Sequence, residues 1–267
     1  MAIKLACSTI LYGGHLLETA LEGIKKAGYE AIELCCIPGM APHFWPKLTD
    51  EALKEVRKKV DASGLAIESV GASGACGDLN ATKATLHAAA VLGAPYVTTA
   101  TGGKSDDEPS FAEVVKTWRE YAKAASEEGA KLSVKPHVRA VVYHGPSSLR
   151  FMKELDTNQV GLNYDPTHIY RTPSHEDEIQ TLRDVKDYVF TTRFRDCAGR
   201  DLNIGPVEKQ VCGQGVLNLP PYFAALKEVP NLKYVTLEIV GTAGSSRTEV
   251  QSVVERCAEY VRKNGLL

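Results

Sequence analysis

Residues 131–137 read KLSVKPH. As an extended strand this run places Leu132 and Val134 on one face and Ser133 and Lys135 on the other, because successive side chains of a strand point to opposite sides. In a closed barrel the apolar set packs on surrounding helices and the other set points at the axis. Lys135 then ends a buried strand with an ammonium group that needs a negative partner. Seven further runs have the same character: IKLACS (3–8), EAIELC (30–35), LAIESVG (65–71), PYVTTA (95–100), VGLNYD (160–165), VFTTRFRD (189–196) and KYVTLEIV (233–240). Helical patterns lie between them, among them LLETALEGIKKAG and TDEALKEVRKKVDASG, the second opening on a Thr or Asp cap before Glu51 and stopping at Gly64. Repeated βα units call for a parallel sheet, and eight of them in 267 residues predict a single (β/α)8 TIM barrel spanning residues 1–267. The alternative is an open doubly wound sheet, but no GxGxxG or GxxxxGK[ST] follows the first strand.

The composition narrows the classes of partner. Hydrophobic residues make up 44% and charged residues 24% of the chain, with a formal net charge of -2 and no run of Lys and Arg. This argues against a nucleic-acid or anionic-membrane surface and for a small-molecule ligand. No 18-residue apolar stretch occurs and the opening MAIKLACSTI lacks a signal-peptide pattern, so a cytoplasmic location is expected. Seven cysteines, none in a paired CxxC spacing, read as reduced packing residues, with the adjacent Cys35 and Cys36 on opposite strand faces.

The parity of KLSVKPH extends to the other strands. Thr236 and Glu238 point inward while Val235, Leu237 and Ile239 point outward; Asn163 and Asp165 point inward, as do Thr191 and Arg193, with Phe190 and Phe194 outward. Glu33 and Glu68 join the inward set from the second and third strands. Charges at the carboxyl ends of barrel strands lie where barrel enzymes keep their chemistry. Glu33, Glu68, Asp165 and Glu238 are therefore expected at the mouth against Lys135 and Arg193, with Asp165 and Glu238 as the partners of Lys135. A purely structural ion-pair cluster is the competing reading, although six converging charges are costly to desolvate.

Taken in order, AGYEAIEL at the second strand, VKPH at the fifth, GLNYDPTH at the sixth, FRD at the seventh, GQGVLNLP before the last unit and TLEIVG at the eighth make the chain resemble the xylose isomerase-like TIM barrels. These are a superfamily of sugar isomerases and epimerases that includes tagatose and psicose 3-epimerases, hydroxypyruvate isomerase, inosose dehydratase and endonuclease IV. In that family the fifth strand ends Glu-Pro-His, the sixth carries Asp-x-x-His, the seventh His-x-x-Asp and the eighth a Glu, and the Glu, Asp, His and Glu hold a divalent metal such as Mn, Mg, Co or Zn. Asp165, His168, Glu238, His137 and Asp196 match this pattern. Lys135 stands where the first Glu would be and Arg193 where the His would be, while Gln214 replaces the Glu of a Gly-Glu-Gly. Charged Lys and Arg do not ligate a divalent cation, so the expectation is that no metal cofactor is held and that fixed cations stand in for it.

The resemblance implies an isomerase- or epimerase-like enzyme, a lyase being possible, acting on a sugar, keto-sugar or polyol derivative by proton transfer next to a carbonyl. Glu238 would be the general base, Lys135 and Arg193 the donors to the developing oxyanion, and Asp165 part of the same catalytic set. His168, His137, Glu68 and Glu33 would bind substrate hydroxyls. Three alternatives are a non-catalytic barrel binding a sugar or acidic metabolite, a metal-dependent epimerase using only Asp165, His168 and Glu238, and Schiff-base chemistry at Lys135. Two long loops complete the picture: PGMAPHFWPKLTD, where His43, Phe44 and Trp45 would either cap the mouth or pack on the barrel, and RDCAGRDLNIGPVEKQVCGQG, expected to fold over the site and to carry contacts of a homodimer or homotetramer.

Overall fold

A computed structural model describes residues 2–73 and 78–267. Eight parallel strands close on themselves: β1 (Lys4–Ser8), β2 (Ala31–Ile37), β4 (Ala66–Gly71), β5 (Tyr96–Ala100), β6 (Lys131–Lys135), β7 (Val160–Tyr164), β8 (Val189–Phe194) and β9 (Tyr234–Leu237). β1 pairs with both β2 and β9, which completes the ring. The two-residue β3 (Ala41–Pro42) adds an antiparallel hairpin to the end of β2. The structure is a single (β/α)8 barrel, and seven of its eight barrel strands fall within the predicted runs, β8 and β9 ending two and three residues earlier than expected, while β2 runs two residues past its predicted end to Ile37.

The outer ring consists of α1 (Leu17–Lys26), α2 (Asp50–Ser63), α3 (Leu79–Leu92), α4 (Glu108–Glu128), α5 (Gly145–Leu155), α7 (Glu178–Val185), α9 (Leu219–Leu226) and α10 (Arg247–Lys263), with the short α6 (Pro166–Tyr170) and α8 (Val207–Gln210) above the strands' carboxyl ends. Their boundaries follow from cap chemistry. The Thr49 hydroxyl accepts from the Ala52 amide at 3.3 Å to start α2, and Gly64 ends it in the left-handed region at φ 68°. Ser246 and Glu249 form a reciprocal capping box on α10. Leu132, Val134, Val235, Leu237 and Ile239 all join the core between barrel and helices, as their parity requires. None of the helices among the described residues is long and apolar enough to cross a membrane.

Inside the barrel the strands carry polar layers instead of an apolar filling. Ser133 and Thr191, on the two strands that flank β7, share a hydrogen bond of 2.8 Å, and Thr98 donates to Glu33 at 2.7 Å. The register shifts between Ile32 and Glu33 and between Leu162 and Asn163. Bulges of this kind re-aim a side chain, and both fall beside residues that the site uses. The six described cysteines are free and buried, while Cys76 lies outside the described residues.

The loop after β8 is anchored by Asp196. Its Oδ1 accepts from the Cys197 and Leu217 amides, both at 2.9 Å, and its Oδ2 from the Gly213 amide at 3.1 Å. This explains GQG without chemistry: Gly213 has φ 80°, Gly215 lies against the latch, and Gln214 is exposed. A Cβ at Gly215 would lie 2.2 Å from Asp196 Oδ1 and 2.3 Å from the Cys197 carbonyl oxygen. Gly215→Ala should therefore cost about 1–3 kcal/mol in denaturant unfolding, and an unchanged midpoint would show that the loop yields freely.

Candidate active site

The sequence GLNYDPTH builds one wall of the site through helix-start chemistry. Asp165 is the N-cap of α6: its Oδ1 accepts from the Thr167 amide at 3.0 Å and hydroxyl at 2.6 Å, and Pro166 takes the first helical position, where no amide hydrogen is needed. The other oxygen, Oδ2, is left free to accept from Arg195 Nη2 at 2.7 Å and faces Lys135 Nζ and His168 Nε2, each at 3.9 Å. Burial pushes the Asp165 carboxyl up, but Arg195, His168 and Lys135 outweigh it and hold the group well below the usual range.

Lys135 finds the partners that strand parity predicts. Its Nζ lies 2.5 and 2.6 Å from the two oxygens of Glu238, just beyond β9. Glu238 also accepts from Arg193 Nε at 3.0 Å and has Arg195 Nη2 at 3.7 Å. Burial raises this carboxyl too, yet Lys135, Arg195 and Arg193 bring it down to about 2. A carboxylate so stabilised is a weak base. The same ion pair keeps the Lys135 nitrogen engaged as an ammonium donor, which works against Schiff-base formation.

Arg193 lies deeper. It is completely buried and joins Glu238, Glu33 and, at 4.0 Å, Glu68, while Tyr222 donates to its carbonyl at 2.7 Å. Burial opposes its charge, but Glu33, Glu68 and Glu238 more than compensate. Arg193 lines neither cavity at the mouth, so it is a clamp beneath the site and not the substrate-facing donor expected from its strand position. Glu68 likewise sits under the mouth, accepting from Ser69, and does not line a cavity. Glu33 accepts from Ser8 at 2.8 Å and Thr98 at 2.7 Å and does reach the cavity floor.

Two cavities open at the strands' carboxyl ends and share Lys135, His137, Val138, Glu238 and Val240 as a common ridge. The larger, about 540 Å³, has Glu33, Asn163 and Met40 in its lining; the other, about 400 Å³, has His168, Arg171, Arg195 and Leu202. His137 stands on the ridge, with its Nδ1 2.9 Å from the Val138 carbonyl. That bond puts the proton on Nδ1 and leaves the Nε2 lone pair free. The concave surroundings, then Lys135, lower its pKa, so the ring is neutral at pH 7. His168 packs against it, ring centroids 4.3 Å apart, and its Nδ1 is 3.4 Å from both the Val138 amide and Arg171 Nη2. Burial depresses His168 well below its ordinary value, so Nδ1 accepts and Nε2–H faces Asp165.

Arg195 and Arg171 were not among the residues expected here. Arg195 follows Arg193 by two positions, so the same inward parity applied one step further finds it. Arg171 follows His168 by three and so shares its helical face. The aromatic loop does not cap the mouth. Phe44 is buried and His43 is held by Thr9 and His15, at 3.0 and 3.2 Å; Trp45 is exposed, and Met40 is the residue of this loop that reaches the cavity.

Residues 21–260 match the model of the xylose isomerase-like TIM barrels. The chain belongs to that family. Among solved structures it is similar to an IolI protein with a bound zinc atom (18% identity, TM-score 0.77, covering 97% of this chain and 98% of that one). A D-psicose 3-epimerase solved in the presence of D-fructose gives 15% identity, TM-score 0.76 and coverages of 98% and 99%. The probable 3-DHS dehydratase AsbF of Bacillus anthracis gives 15% identity, TM-score 0.75 and coverages of 95% and 98%. At these identities the likeness is one of fold. Comparison with curated proteins finds no match.

The donor set does not suit the divalent ion that the family resemblance implies. Between Asp165 and Glu238, where such an ion would bind, stands the Lys135 ammonium, and both Glu238 oxygens are already engaged by it. Among the described residues no group of three or more His, Cys, Asp or Glu side chains is arranged to hold a metal.

Glu68 supplies a pH test of this charge cluster. Burial, reinforced by Glu33 and opposed by Arg193, raises it from 4.5 to about 7. The folded protein thus binds this proton more tightly than the unfolded chain does, and the group withdraws stability as pH rises from about 4.5 to about 7. Glu68→Gln should leave stability unchanged near pH 4 and raise it by up to about 3 kcal/mol at pH 8, read by urea unfolding at both values. Equal effects at the two pH values would rule out a strained Glu68 carboxylate.

Proposed function

We propose that this barrel is an enzyme that moves a proton at the carbon next to a carbonyl in a small, hydroxylated keto substrate, an isomerase- or epimerase-type reaction, without a divalent metal. The observation that carries the reading is the Lys135 ammonium, 2.5 and 2.6 Å from the Glu238 oxygens and 3.9 Å from Asp165, at the open end of the barrel axis. It supplies a fixed positive charge where the family's reactions need an oxygen polarised. The similarity to named epimerases and a probable dehydratase supports chemistry on sugar-like molecules. The lining supports it too: Asn163 Oδ1 is a buried acceptor with no partner among the described residues, suited to a substrate hydroxyl.

The geometry supports the following roles. Lys135 donates to the carbonyl oxygen and stabilises the enediolate as charge develops on it. Glu238, held at about 2, keeps Lys135 in place and is replaced as general base by His137. The neutral His137 ring has a free Nε2 on the ridge between the cavities and a pKa better matched to neutral pH. It takes the proton from carbon and, as imidazolium, returns it to the adjacent carbon of the enediolate while the hydroxyl proton passes between the two substrate oxygens beside Lys135, which closes an isomerisation with one base; an epimerisation returns the proton to the same carbon from the opposite face and needs a second acid. Asp165 orders Arg195 and faces the Nε2–H of His168, and His168, with Glu33, contacts hydroxyls.

The test is deuterium exchange into a panel of ketoses and hydroxy-keto acids in D2O, followed by NMR with chelator present. We expect exchange with chelator, a loss of roughly 100-fold or more in Lys135→Met, and a loss of about 100-fold or more in His137→Gln. Lys135→Met should also lower the melting temperature, since Arg193 is shared with Glu33 and Glu68 and only half neutralises Glu238, so the exchange loss is measured well below the variant's own melting point. The acid limb of the rate should lie below pH 6.5, because His137 is depressed from that value. Exchange that appears only on adding Mn, Mg, Co or Zn would refute the metal-free reading, and binding of panel members without any exchange would make this a binding barrel.

A further inference from the structure

The smaller cavity holds a charge imbalance that the proton-transfer chemistry does not use. Every carboxyl of the cluster, Glu33, Glu68, Asp165 and Glu238, lies within 4.0 Å of Lys135, Arg193 or Arg195. Arg171 is only 3% exposed and has no carboxylate within 4.0 Å among the described residues. Its guanidinium is held by backbone carbonyls instead: Nε donates to Thr167 O at 3.0 Å and Nη1 to Leu202 O. Among the described residues Nη2 has only the 3.4 Å contact with the neutral His168 ring. Next to it Arg195, 2% exposed, spends Nε on the Thr167 hydroxyl at 3.3 Å and Nη2 on Asp165, while its buried Nη1 has no hydrogen-bond partner among the described residues.

An arginine carries five N–H donors and stays charged when buried, so both the missing hydrogen bonds and the uncompensated charge weigh against the empty fold. The two guanidiniums lie on one cavity of about 400 Å³, with Lys135 and His168 beside them and the exposed Leu202 in the lining. The one carboxylate there, Glu238, is already saturated by Lys135 and Arg193. Guanidinium pairs of this kind suit the planar or tetrahedral oxygens of an anion.

We propose that the cavity over Arg171 and Arg195 is a subsite for an anionic group, a carboxylate or a phosphate, carried by the molecule whose reacting end enters the larger cavity across the Lys135 and His137 ridge. The inference rests on the mouth being a substrate site, but not on its being catalytic. The substrates are then keto acids or sugar phosphates in preference to neutral ketoses.

Calorimetric titration at low ionic strength with D-fructose, D-fructose 6-phosphate, D-fructuronate and inorganic phosphate tests it on the intact chain. At least one of the two anionic sugars should bind tenfold or more tighter than D-fructose, the phosphate or the uronate arm identifying which group the subsite takes, and inorganic phosphate should compete with the tighter one. Arg171→Gln should abolish the preference, bringing the affinity for the anionic sugar down to that for D-fructose. Arg171 also braces the loop through Leu202, so a second variant guards against misfolding: Leu202→Asp sets a carboxylate at an exposed lining position and should lower anion affinity at least tenfold. Equal affinity for neutral and anionic sugars, no binding of any of the three anions, or a preference that survives both variants would overturn the proposal. Deuterium exchange without an anion preference would sink the subsite alone, whereas an anion preference without exchange would sink the catalytic reading and leave the subsite standing.

Discussion

The site depends on one buried guanidinium. Arg193 has no exposure to solvent, yet it ties β8 to Glu33 of β2, to Glu68 of β4 and to Glu238 at the end of β9. Removing such a charge from water is expensive and is offset only when opposite charges and hydrogen bonds surround it. Here the offset comes from three carboxyls on three different strands, so the barrel interior is held together electrostatically where many barrels use packed aliphatic layers. Hydroxyls of Ser8, Ser69 and Thr98 complete the set around Glu33. A divalent cation in this position would pull ligands into a small coordination sphere; the guanidinium spreads its charge over a plane and can reach carboxyls that are farther apart.

With Arg193 fixed below, Glu238 is presented at the mouth already half neutralised, and Lys135 completes the pairing from above. The division of labour follows from exposure. Arg193 is sealed and structural; Lys135 lines both cavities and is available to a ligand. Asp165 connects this pair to the second basic cluster, because one of its oxygens starts α6 and the other holds Arg195. The local sequence rule that begins a helix thus also decides where His168 and Arg171 stand.

Much of this was legible in the residues. The two-residue period of KLSVKPH placed Lys135 inward and Leu132 outward, and the same count found Asp165, Arg193, Glu238, Glu33 and Glu68. Period two says which face a side chain takes, but not its depth along the axis. Glu33 and Glu68 are third in their strands and Lys135 is last in β6, which is why Glu68 ends up under the site and not in it. Arg195 was within reach of the parity rule but stood at the predicted end of its strand, where a loop was equally expected. Arg171 and Gln210 depend on loop paths: one braces Leu202, while the other bonds the Val240 backbone at 2.9 and 3.0 Å. No periodicity encodes such contacts. The weak basicity of Glu238 was also hidden, because it arises from three cations that converge only in the folded chain.

The central claim is that a lysine ammonium occupies the position of the family's metal. Calorimetric titration of Mn with the chelator-treated protein and with Lys135→Glu tests it most directly. The account predicts no binding to the parent chain at micromolar Mn, because Lys135 already holds both Glu238 oxygens, and binding of one ion by Lys135→Glu, where three carboxylates then meet beside His168. One Mn bound tightly by the parent chain, with Asp165→Asn abolishing it, would contradict the account.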